Sequence, residues 1–105
     1  MKRGRPVKSE IRQNIIEILH FLNKGYGYQI AKIYMEIFPP CTREVIYYHL
    51  KKGVSIGEIM VNEIKKEKGE YSWGEDVEKI YYSLGPNAKP QGIERVRAVV
   101  DKIKK

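Results

Sequence analysis

Three side chains of this chain are the usual candidates for holding a soft metal or attacking an electrophile: His20, Cys41 and His49. Zinc sites draw thiolate and imidazole ligands from closely spaced pairs, and no pair here has that spacing. Ser72-Trp73 is not a nucleophile elbow, and no glycine-rich phosphate loop follows a strand. The residues therefore offer no catalytic set, no metal site and no cofactor site, and an enzyme is not expected. A single cysteine cannot form an internal disulfide and fits a reducing compartment.

What remains is charge. Twenty lysines and arginines stand against thirteen acids in 105 residues, a net of +7. Such a balance points to a polyanion as partner. The cations are unevenly placed. Residues 1–12 carry a net of +4, residues 42–53 a net of +2 and residues 87–105 a net of +4, whereas residues 58–79 carry −3. The basic blocks are the surfaces expected to face a polyanion, and the acidic block is expected to face elsewhere. The first block contains KRGRP, in which Gly4 and Pro6 both disfavour helix. Residues 1–8 are thus expected to form a flexible basic arm.

The elements that would position these charges can be read from apolar spacing. Ser9 can cap a helix running to about Asn23, with Ile11, Ile15, Ile18, Leu19 and Leu22 on one stripe. A second helix is expected over about 28–38, ended by Pro39-Pro40. Thr42 then caps a third, in which Ile46, Leu50 and Val54 recur by four; residues 42–52 are its expected reading part, and it ends at Gly53 or, as the firmer stop, at Gly57. The period then changes. Residues 58–66 and 77–84 read as two strands of a hairpin with a long, glycine-containing connection, under which Trp73 reads as a structural plug. A last helix is expected over about 90–104. Ile93, Val96, Val100 and Ile103 make an a/d seam along it, too short to stand alone in water. It must pack on the first helix or on a second copy of the chain, and a homodimer through these four residues is expected.

Three helices followed by a hairpin is the winged helix-turn-helix order. The fold class expected is α+β, mainly α, with the winged domain over 9–86 and the C-terminal helix within 87–105. The longest apolar runs are too short to span a bilayer, no secretory h-region follows the first cations, and a cytoplasmic location is expected.

The stretches GYGYQIAKI and TREVIYYHLKKG resemble the winged-helix transcriptional regulators of the PadR type, through Gly27, Tyr28 and Ile30 and through Tyr47, Tyr48 and Leu50. Residues 10–85 also look like small archaeal regulators with a YSWG element in the wing. Two features depart from the pattern: Gly53 stands where a leucine is usual, and the wing connection is long and acidic. The resemblance implies a DNA-binding regulator that dimerises through its C-terminal helix.

The residues themselves say how such a protein would bind duplex DNA. With Ile46 and Leu50 buried, the third helix projects Arg43, Glu44, Tyr47, Tyr48 and Lys51, with Lys52 beside them. Alternatively Tyr47 or Tyr48 completes the core. Arg43 lies in the first turn, where such helices reach base edges in the major groove. An arginine can pair with guanine through two hydrogen bonds. Thr42, Tyr47, Lys51 and Lys52 complete the expected contact set, the lysines on phosphates, which position without specifying. The RGRP of residues 3–6 is similar to the core of the AT-hook. Arg3 and Arg5, with Lys2 and Lys8, would then enter or flank the narrow minor groove of A·T-rich DNA. A solvated basic tail is the competing reading. Two other functions fit the same fold: an architectural chromatin protein of low specificity, or a winged-helix protein–protein module of a transcription or RNA-processing assembly. The acidic hairpin favours the last.

Overall fold

The stripe of the first helix is obeyed and exceeded. In the computed structural model, which describes residues 7–38, 40–68 and 76–104, α1 spans Val7–Leu22. Ile15, Ile18, Leu19 and Leu22 are buried as their spacing requires, and Ile16 and Glu17 between them are buried as well. A one-sided stripe would leave those two outside. They are covered because α1 is the central rod of the molecule, with neighbours on more than one side. Ser9, expected as the cap, lies inside α1. The helix-breaking residues are Gly4 and Pro6, and nothing in Val7 or Lys8 opposes helix.

A two-residue strand β1 (Gly25–Tyr26) leads directly into α2 (Gly27–Ile37), which ends before the proline pair as expected. Helix α3 (Arg43–Ile56) follows. Thr42 caps it, its Oγ1 accepting from the Val45 N–H at 3.2 Å, and Gly57 closes it in the left-handed conformation. Strands β2 (Ile59–Lys68) and β3 (Asp76–Leu84) form the hairpin. Trp73 and the rest of the connection, 69–75, lie outside the described residues. The sheet is antiparallel in the order β1-β3-β2, with Ile59 opposite Leu84 and Ile64 opposite Ile80, and an irregularity between Val61 and Glu63. Short β1, pairing Gly25 with Tyr82 and Tyr26 with Tyr81, was beyond the reach of periodicity. Helix α4 (Glu94–Lys104) completes the chain.

One core joins all four helices to the root of the wing. It contains Ile15, Ile18 and Leu19 of α1, Ile30, Ile33 and Tyr34 of α2, and Ile46 and Leu50 of α3. Ile59 of β2 and Val96 and Val100 of α4 close it. Gly53 explains one departure from the family pattern. A Cβ there would lie 2.5 Å from the Ile59 Cδ1, so the third helix gives up a side chain and the first strand of the wing fills the space.

The C-terminal helix corrects two expectations. It starts at Glu94, not near Pro90. The N–H groups of Gln91 and Gly92 donate to the Glu17 carboxylate at 2.7 and 2.9 Å, and Gly92 has φ +75°, so the chain there serves as an anchor loop. The seam is also occupied within the chain. Val96 and Val100 are fully buried against the core, and Ile93 packs on its margin. They are therefore not available as dimer contacts; of the four expected, only Ile103 is exposed. No helix of the described residues is long and apolar enough to cross a membrane.

Candidate nucleic-acid interface

Helix α3 sorts its residues by face. Ile46, His49, Leu50 and Gly53 are buried. Arg43, Tyr47 and Lys51 lie four residues apart, and Glu44, Tyr48 and Lys52 form the adjoining row; all six are exposed. Neither tyrosine completes the core: Tyr47 is 40% and Tyr48 51% exposed. Tyr47 stands over the turn into α2, since a Cβ at Gly27 would come within 2.7 Å of its ring. Thr42 uses its hydroxyl oxygen to cap its own helix.

Two clusters of cations and tyrosines flank this helix, and sequence reading found neither. The first lies at the angle between α2 and α3. Tyr28 is 47% exposed, with the Arg43 guanidinium 5.6 Å and the Lys32 ammonium 5.9 Å from its ring centre. The second lies on the sheet. Tyr26 and Tyr81 meet edge to face at 5.4 Å. Lys24 and Lys65 approach the Tyr81 ring at 5.6 and 5.3 Å, and Lys79 approaches the Tyr26 ring at 4.7 Å. Glu63 bridges Lys24 at 3.3 Å and Lys65 at 3.5 Å. The Lys24 hydrogen bond and the two positive charges hold its carboxyl below the ordinary carboxylate range. Alternation on the strands could have placed Tyr81 on a face, but two of its partners, Lys24 and Tyr26, come from β1 and the residue before it, far away in sequence.

The acids of residues 58–79 are partly neutralised by the fold. Glu58 accepts from Arg12 of α1 at 2.8 Å, and Glu63 is held by two lysines. Arg12, counted in the basic N-terminal block, is thereby committed to the root of the wing. Of the expected arm, Lys8 falls in the first turn of α1, while Lys2, Arg3 and Arg5 lie outside the described residues.

Glu17 is the buried charge that sequence reading passed over, although IIEIL, a single acid inside an apolar run, was the signal. Burial pushes its carboxyl up. The N–H groups of Gln91, Gly92 and Ile93 and the Gln13 amide act in the other direction and prevail, so the group lies below its ordinary value. Tyr34, also in the core, accepts from Asn14 at 3.2 Å, and burial raises its phenol. Among the described residues, no three His, Cys, Asp or Glu side chains gather as a metal site.

No family model matches the chain, and no curated protein matches it. Among solved structures it is similar to the crystal structure of a PadR family transcription regulator from hypervirulent Clostridium difficile. The two share 28% identity over 72% of each chain, with a TM-score of 0.53. The architecture seen here, four helices with a three-stranded antiparallel sheet, is that of a PadR-like winged helix-turn-helix.

Proposed function

We propose that this protein is a DNA-binding transcription regulator that sets α3 in the major groove of duplex DNA. The observation that carries this reading is the open row of Arg43, Tyr47 and Lys51 on the second helix of the helix-turn-helix, with Lys52 beside it. Among the described residues, no carboxylate lies within ion-pair distance of these three cations. The likeness to a PadR family transcription regulator supports the same reading. Arg43 is assigned to base edges and the two lysines to phosphates. The basic arm, with Lys2, Arg3 and Arg5, is assigned to an adjacent minor groove, on its sequence alone. A homodimer belongs to the proposal, but not through Val96 and Val100; the exposed side of α4, with Ile103, is left for it.

A second reading has its own observation. Val61, Ile64 and Ile80 are exposed on the wing, an apolar surface suited to a protein partner. Titration of fluorescent random and A·T-rich duplexes at two salt concentrations separates the two. The regulator is expected to bind both at low salt and to keep a preference at high salt. Equal affinity for every duplex would make it an architectural protein. No binding at low salt would leave the protein–protein module.

A further inference from the structure

We propose that Tyr28 is a positioning residue for Arg43, so that base choice by α3 depends on a side chain of α2. The inference rests on the reading above, that α3 contacts duplex DNA. Tyr28 is the second residue of α2, and its ring is 47% exposed. Arg43 is the first residue of α3. Its guanidinium lies over the Tyr28 ring, and Lys32, one turn further along α2, approaches the same ring. All three border one open groove of about 280 Å³, together with Ala31 and Met35.

The physical reason is entropy. An arginine at the start of an exposed helix has many rotamers, and only those pointing along the groove can pair with a base. A ring face attracts a guanidinium through its quadrupole and also offers it a flat surface to stack on. No carboxylate of the described residues competes for Arg43. The ring therefore narrows the rotamers of Arg43 while leaving its donors open. At an exposed site this attraction corresponds to about a two- to fivefold change in an equilibrium. Lys32, a compact point charge on a flexible stem, suits a phosphate beside the same groove.

Two measurements on the full chain test this. In the free protein, the side-chain proton resonances of Arg43 are expected to be shifted by the ring current in the wild type and in Tyr28→Phe. The shift should vanish in Tyr28→Leu, with the melting temperature unchanged. For function, a duplex is selected from a random pool, and affinities for its single-base-pair variants are compared. Tyr28→Leu should reduce discrimination about two- to fivefold at the pair whose readout is lost in Arg43→Ala. Tyr28→Phe should keep it, and Tyr28→Leu should add nothing in the Arg43→Ala background. The proposal is overturned if Tyr28→Leu weakens all variants equally, if its effect persists without Arg43, or if the ring-current shift is absent. A wild type that selects no duplex overturns the proposed function itself, and this inference with it. A wild type that selects one but shows no coupling overturns this inference alone.

Discussion

Helices α3 and α4 look alike on paper, and the molecule uses them in opposite ways. Each has apolar residues at steps of three and four and cations between them. In α3 the apolar row fixes the helix to the core, and the opposite face, with Arg43, Tyr47, Lys51 and Lys52, is left open. In α4 Val96 and Val100 are enclosed against α1 and α2 while Ile103 is exposed, and outside them Arg97 pairs with two acids of its own helix. Arg97 lies 3.6 Å from Glu94 and 3.7 Å from Asp101, one turn away on either side. Surface pairs of this kind contribute little, but they leave Arg97 with partners of its own. A basic stretch in sequence is therefore not yet a basic surface. What decides is whether the acids nearby reach the cations, and around α3 none among the described residues does.

The comparison predicts a separation: changes in α4 should alter stability and leave DNA preference alone, while changes in α3 should do the reverse. The largest effect belongs to α4. Val96→Asp places an unpaired carboxylate in a fully enclosed site, and buried unpaired charge costs several kcal/mol, about 3–5. For a domain of ordinary marginal stability this amounts to loss of cooperative unfolding by calorimetry. If Val96→Asp instead folds as well as the wild type and only sediments as a smaller species, the helix is an interface after all.

The anchor of α4 comes next. Glu17→Ala leaves the N–H groups of Gln91 and Gly92 unsatisfied beside the core, at about 1–3 kcal/mol. Its pH dependence carries a definite sign. The folded carboxyl lies below its ordinary value of 4.5, so the folded state binds fewer protons than the unfolded one. This contribution is complete above that value and is lost as pH falls through the lowered one. Melting temperatures measured from about pH 6 to about pH 3 should fall in the wild type and fall less steeply in Glu17→Gln. Equal slopes would mean that the carboxylate is not what holds the loop.

These residues also mark where the sequence was legible. The stripe of α1, the Thr42 cap, the proline stop of α2, the Gly57 cap and the hairpin could all be seen, because each rests on neighbours within a few residues. So could the exposed row of α3, once Ile46 and Leu50 were assigned inward. Glu17 could be seen as an oddity, but its partners lie more than seventy residues on. Arg12 with Glu58, and Tyr28 with Arg43, join elements whose packing angle no spacing rule supplies. The a/d seam of α4 was legible as apolar, and its partner was not. A seam says that something must cover it; only the docked helices show that α1 and α2 do.

The α3 side of the comparison gives the third prediction. Arg43→Ala should remove about 1–3 kcal/mol of discrimination at one base pair, with melting unchanged. The check is the same panel of single-base-pair duplex variants. A uniform loss across the panel would reassign Arg43 to a phosphate.

The smallest effect sets α3 against the wing, where the cations and tyrosines are of the same kinds. Lys51 has no acid of the described residues within ion-pair distance, whereas Lys24 and Lys65 share Glu63 and lean on Tyr81. A lysine that gives up a counterion on binding adds about 0.9 to the slope of log affinity against log salt. Lys51→Ala should therefore lower that slope by about one, the value for a single phosphate contact. Lys65→Ala should leave it unchanged, because the charge it removes is already answered within the protein and a Glu63 released from it is still bound by Lys24. The two slopes, measured on one duplex, decide whether paired and unpaired cations differ in function as they do in structure. If Lys65→Ala flattens the slope as much as Lys51→Ala, Glu63 yields its lysine to the duplex on binding, and the wing belongs to the interface.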